Sequence, residues 1–156
     1  MMLVLAMVFC WMAVPVSAAT TPTLSDTDDR GNVYSASGTS VGEELKSVAP
    51  GDTVYVALYP YSADNKIKKV KITGDTTDDK ALVANATCDV VRLKDGSGVR
   101  WNFAVVNVKS ISASSYDPDD KYTYNGTIAV TTYGTSIDDI DVDFEVKYEE
   151  KGANDD

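Results

Sequence analysis

The chain contains no histidine. That removes the commonest general base and the commonest metal ligand together. Cysteine is almost as scarce: of Cys10 and Cys88, only Cys88 lies beyond the apolar N-terminal segment, so the rest of the chain can form no internal disulfide. No stretch carries a sustained 3.6-residue apolar stripe, and the weak candidate, residues 41–48, would make one or two helical turns. Positive charge is also in deficit. There are 14 basic and 24 acidic residues, for a net charge of −10. Such a surface repels nucleic acid and anionic lipid, so neither is an expected partner. No Gly-x-Ser-x-Gly elbow, phosphate loop or cysteine cluster occurs, and a hydrolytic triad would need lysine or a carboxylate as its base. The sequence is therefore expected to be non-catalytic and to carry no cofactor, with calcium the one ion to consider.

What is present begins with an address. Residues 1–14 are nearly all apolar and lead into Pro15, Val16, Ser17, Ala18 and Ala19. An apolar run ending in small residues reads as a secretory signal peptide, here covering residues 1–19. It is short of the roughly 20 residues a membrane span requires, so no span is expected once it is removed. No Lys or Arg precedes it, and a basic leader is expected upstream. Cys10 lacks the small preceding residue and polar following chain of a lipidated cysteine. An exported chain without disulfides points to a bacterial source and a secreted or cell-surface location. Residues 20–31, rich in Thr, Ser and Asp, read as a linker, 32–149 as one domain, and 150–156 as a polar tail.

Within the domain, period-2 segments alternate with turn residues. Pro50-Gly51-Asp52 turns into 53–59, where Val54, Val56 and Leu58 share one face and Tyr55, Ala57 and Tyr59 the other. Residues 67–73 follow. In 81–94, Leu82, Ala84, Ala86, Cys88 and Val90 line one side. Asp95-Gly96-Ser97-Gly98 is a hairpin signal. The return strand, 99–109, is apolar on both faces, as a central strand would be. Residues 122–133 are interrupted by Asn125-Gly126, read as a turn or bulge, and 140–148 place Ile140, Val142, Phe144 and Val146 on one face.

Two segments resemble known modules. Ala49-Pro50-Gly51-Asp52-Thr53-Val54-Tyr55-Val56 resembles the turn-into-strand entry of bacterial immunoglobulin-like and cohesin-like surface domains. Pro118-Asp119-Asp120-Lys121-Tyr122-Thr123-Tyr124 is similar to the approach to strand F of fibronectin type III domains, which would make Tyr122 a tyrosine-corner residue. The pattern and the resemblance together predict an all-β protein, a two-layer antiparallel immunoglobulin-like sandwich of about seven strands, with a small β-barrel as the alternative.

Four features are candidates for function. Asp139, Asp141, Asp143 and Glu145 alternate along one strand, about 6–7 Å apart on one face. In a row they cannot converge on one ion as loop ligands do, and the simpler reading is a solvated outer face. Lys66, Lys68, Lys69 and Lys71 crowd another strand and read as guards on a sheet edge. The two rows together suggest contact with a protein partner or with another copy, in a head-to-tail array. Asp117, Asp119 and Asp120 share one turn and are the candidate calcium ligands. The loop from Asp26 to Ser37 fails as an EF-hand, with Arg30 and Ser37 at ligand positions. Tyr55, Tyr59 and Tyr61 form a candidate glycan-stacking face, the basis of an alternative carbohydrate-binding role. The sequons at Asn85 and Asn125 read as chance matches, and Cys88 as a buried, inert thiol.

Overall fold

Alternation of apolar and polar residues sets the architecture, a computed structural model that describes residues 21–110 and 122–147. Among these residues nine strands form: β1 (Val33–Ser37), β2 (Ser40–Glu44), β3 (Ser47–Val48), β4 (Thr53–Pro60), β5 (Ile67–Gly74), β6 (Val90–Lys94), β7 (Arg100–Asn107), β8 (Tyr122–Thr132) and β9 (Ile140–Val146). One short helix, α1 (Thr77–Lys80), follows β5. The chain is all-β, in two sheets. One runs β1-β2-β6-β7-β4 and closes on itself through the β1–β4 pair. The other has the order β3-β9-β8-β5.

Two apolar clusters follow from this layout. Val54, Val56, Leu58, Ala104 and Val106 of the closed sheet pack against Val70, Ile72, Ile128, Val142 and Phe144 of the open one. Tyr34, Val41, Ala57, Leu93, Trp101 and Phe103, drawn from all five strands of the closed sheet, form a second cluster inside it. Both faces of β4 and β7 are therefore buried, which accounts for the apolar residues on both sides of β7. Tyr34 and Phe103 meet edge to face at 6.0 Å, the geometry that aligns a ring's positive edge with a negative face. The segment expected to be a linker packs here too, with Leu24 buried in the barrel cluster.

The turns match their residues. Gly51 and Gly98 adopt φ of 88° and 86°, values that favour glycine. Asp95 caps the β6–β7 hairpin by accepting from the amides of Ser97 and Val99, both at 2.9 Å. It also accepts from the Leu24 amide at 3.1 Å, which ties the N-terminal segment to the barrel. Burial alone would raise its pKa. The hydrogen bonds outweigh burial and hold the carboxyl below the usual carboxylate range.

Three local expectations are corrected. Residues 81–89 do not form a strand. They run irregularly between the sheets, bridging Thr87 to Lys71 and Val83 to Val108, because only Leu82 and Cys88 find apolar burial. Asn125-Gly126 does not interrupt β8, whose pairing with β5 and β9 runs straight through it. A Cβ on Gly126 would lie 2.5 Å from Tyr124 Oη and 2.6 Å from the Thr73 carbonyl, so this glycine serves close packing. Residues 41–48 are β2 and β3, and the one helical turn lies at α1. A capping box fixes that turn: Thr76 Oγ1 accepts from the Asp79 amide and Asp79 Oδ2 from the Thr76 amide.

Candidate functional site

Part of the lysine row, Lys69 and Lys71, falls on one surface with the acidic row. In the open sheet Val70, Ile72, Ile128, Val130, Val142 and Phe144 point into the core, so their neighbours point out. Register places Lys69 beside Thr131 and Lys71 beside Ala129, while Thr127 lies between Thr73 and Asp141, and Asn125 beside Asp143. The outer face therefore carries lysines along β5, a stripe of Thr, Ala and Asn along β8, and carboxylates along β9. Asp139, one residue before β9, continues the acidic row and is exposed with Asp141 and Asp143, while Glu145 is half-buried near Lys147 Nζ at 3.8 Å. The lysine strand is an edge strand. The acidic strand is not, because β8 and β3 flank it.

The three tyrosines do not share one exposed row. A bulge between Ala57 and Tyr59 shifts the pairing with β7, so that Ala57 faces Phe103 and Tyr59 faces Asn102. The extra residue, Leu58, reverses the alternation. Tyr59 turns into the inter-sheet core, 4% exposed, where its hydroxyl donates to the Asn65 carbonyl at 3.2 Å. Burial raises its pKa. Tyr55 is half-buried against the barrel cluster. Tyr61 is half-buried, with the Arg92 guanidinium 3.9 Å from its ring centroid and Arg100 at 5.8 Å.

Tyr61 belongs to a cleft of about 400 Å³ that opens between β5 and the barrel strands β6 and β7. Lys66, Lys68, Lys69 and Arg92 line it, and none of them forms an ion pair with a carboxylate among the described residues. Tyr133 stands at its wall, 74% exposed, with Lys68 Nζ 5.8 Å from the ring centroid. Asn102 is 4% exposed, lines the cleft, and its side chain hydrogen-bonds to no described residue. Asn65 Oδ1, on the same wall, is a buried acceptor without a donor among them. Asp89 is the one carboxylate on the lining, and Cys88 lies behind it, its thiol pKa pushed up to about 11 by burial. A thiol so raised stays protonated at neutral pH and is a poor nucleophile.

Asp117, Asp119 and Asp120 lie outside the described residues. Among the described residues no group of three or more His, Cys, Asp or Glu could hold a metal ion, and no helix is long and apolar enough to cross a membrane. The Asn85 side chain is taken up in the fold. Its Nδ2 donates to the Val105 carbonyl at 3.1 Å and its Oδ1 accepts from the Asn107 amide at 2.8 Å. The cleft escaped sequence reasoning because Arg92, Asn102 and Tyr133 come from segments that only the packing of the two sheets brings beside β5. Comparison with protein families, curated proteins and solved structures finds no match for the chain.

Proposed function

We propose that this chain is an exported, non-catalytic immunoglobulin-like module of the bacterial surface or exterior that works by self-association. The outer face of its open sheet carries the contact. Strand order supports the immunoglobulin-like reading: β1-β4-β7-β6 follows the order A-B-E-D, and β5-β8-β9 follows C-F-G. The apolar leader at residues 1–19 supports export.

The observation that carries the function is the charge layout of the open sheet. Rotation of a second copy by 180° about an axis along β8 lays β5 of each copy over β9 of the other. Lys71 pairs with Ala129, the residue after Ile128, and Asp139 directly precedes Ile140, the partner of Ile128, so Lys71 and Asp139 lie near one level. The rotation therefore sets Lys71 of one copy against Asp139 of the next, with Lys69 and Asp141 flanking that pair on opposite sides along the strands. Rotation about an axis across the strands would stack like charges. A two-fold interface is self-complementary and closes as a dimer, so this geometry favours a pair over the head-to-tail array.

Sedimentation of two charge-reversed variants tests the pairing. K69E/K71E and D139K/D141K should each be monomeric, because each opposes like charges across the two-fold. An equimolar mixture should form a heterodimer. A wild-type chain that stays monomeric at high micromolar concentration, or variants that dimerise as it does, overturns the proposal.

A further inference from the structure

We propose that the cleft between β5 and the barrel strands binds an acidic sugar, a uronate unit of a polysaccharide. The site lies beside the sheet face above, sharing Lys69 with it, and stands whether or not that face dimerises. The first argument is charge. In a chain of net charge −10, four cations line one cleft without carboxylate partners among the described residues. Unpaired like charges are costly to gather unless an anion joins them. The Arg92 guanidinium carbon lies 3.9 Å from the Tyr61 ring centroid, a contact that holds the side chain at the cleft while its N–H groups remain able to grip a carboxylate.

Charge alone would suit phosphate or an acidic peptide as well. The Asn102 amide separates these. A buried polar group without a partner is uncommon and asks for an explanation. An amide acceptor repels a bare anion but welcomes a hydroxyl. Asn102, almost fully buried and unpartnered among the described residues, offers both a donor and an acceptor. The exposed Tyr133 ring supplies an apolar plane for the face of a pyranose. Cation, hydroxyl partner and aromatic plane on one wall are the three recognitions a uronate needs. The volume, about 400 Å³, falls within the range of small-ligand sites.

The experiment is titration calorimetry of the full mature chain with tetragalacturonate, with a neutral tetrasaccharide and inorganic phosphate as comparators. Tetragalacturonate should bind and the two comparators should not. Arg92→Ala and Tyr133→Ala should each weaken binding at least about tenfold, the loss expected when one charge-assisted hydrogen bond or one stacking surface is removed. Both residues are on the surface, and circular dichroism of each variant checks that it folds. Lys80→Glu, exposed and outside both the cleft lining and the charged rows, should leave binding unchanged. Absence of heat with tetragalacturonate at millimolar concentration overturns the proposal. So does phosphate binding as tight as that of the uronate, which would make the cleft a plain anion site, and so does an Arg92→Ala variant that binds like wild type.

Discussion

At the scale of single residues, two positions carry more than their chemistry suggests. Asp95 joins three parts of the chain through one carboxylate: Leu24, the hairpin turn and Val99, the residue before β7. Asp95→Ala leaves those amides without their acceptor, so a loss of about 2–4 kcal/mol is expected, read from the urea midpoint at pH 7. The sign of the pH dependence follows from the direction of the shift. The folded pKa is below the unfolded value of about 3.9, so the contribution is complete above that pH and disappears as pH falls through the folded pKa. The gap between wild type and variant should therefore narrow in acid, and a gap that stays constant down to about pH 2 would show that the carboxylate's charge is irrelevant to the contact. Gly126 is the second position. The Tyr124 ring lies over it and stacks on Phe144 at 5.0 Å. Gly126→Ala drives a methyl into the Thr73 carbonyl and should cost about 1–3 kcal/mol, although its backbone is ordinary extended strand.

At the scale of elements, legibility followed burial. β9 and β5 read directly because one face is core and the other solvent, and their inner residues, Ile140, Val142, Phe144, Val146, Val70 and Ile72, are the ones buried. β7 was legible as a central strand, but that its two faces serve two different cores was not. β1, β2 and β3 left little trace, since Ser, Gly and Glu dominate them and a strand of two residues has no period to detect. The Leu58 bulge has no sequence signature, and it alone moved Tyr59 from the expected outer face to the core. Residues 81–89 alternate convincingly on paper, yet Ala84 and Ala86 are exposed, because alanine buries too little surface to hold a face inward. Hydrogen bonds hold that segment instead, with Asn85 clamped to β7. Asn85→Ala should cost about 1–2 kcal/mol, the net loss of two part-exposed hydrogen bonds. Asn125→Ala, an exposed position in the other sequon, should fall within about 0.5 kcal/mol of wild type. Equal effects in thermal denaturation would remove the bridging role assigned to Asn85.

At the scale of the whole molecule, the balance is electrostatic. The described residues hold three ion pairs, Arg30–Asp26 at 2.8 Å, Lys46–Glu44 at 2.6 Å and Lys147–Glu145 at 3.8 Å, each between residues close in sequence and substantially exposed. Such pairs contribute little. A net charge of −10 is thus largely uncompensated and works against the compact state. Sodium chloride shortens the reach of that repulsion, from about 30 Å at 0.01 M to about 3 Å at 1 M. The melting temperature of the dilute monomer should therefore rise with salt, by roughly 2–6 °C, the shift that about 1 kcal/mol produces in a domain of this size. Contact between lysine and carboxylate rows across the two-fold should respond in the opposite direction, since screening weakens the attraction between the rows. A single salt series, followed by melting temperature at low concentration and by sedimentation at high concentration, separates the two. Stability rising while the dimer dissociates is the expected pair of slopes. A melting temperature that falls with salt would mean that the segregated charges attract within one copy more than the excess carboxylates repel. The lysine and acid rows would then be structural partners across a single sheet, and the self-association reading would lose its basis.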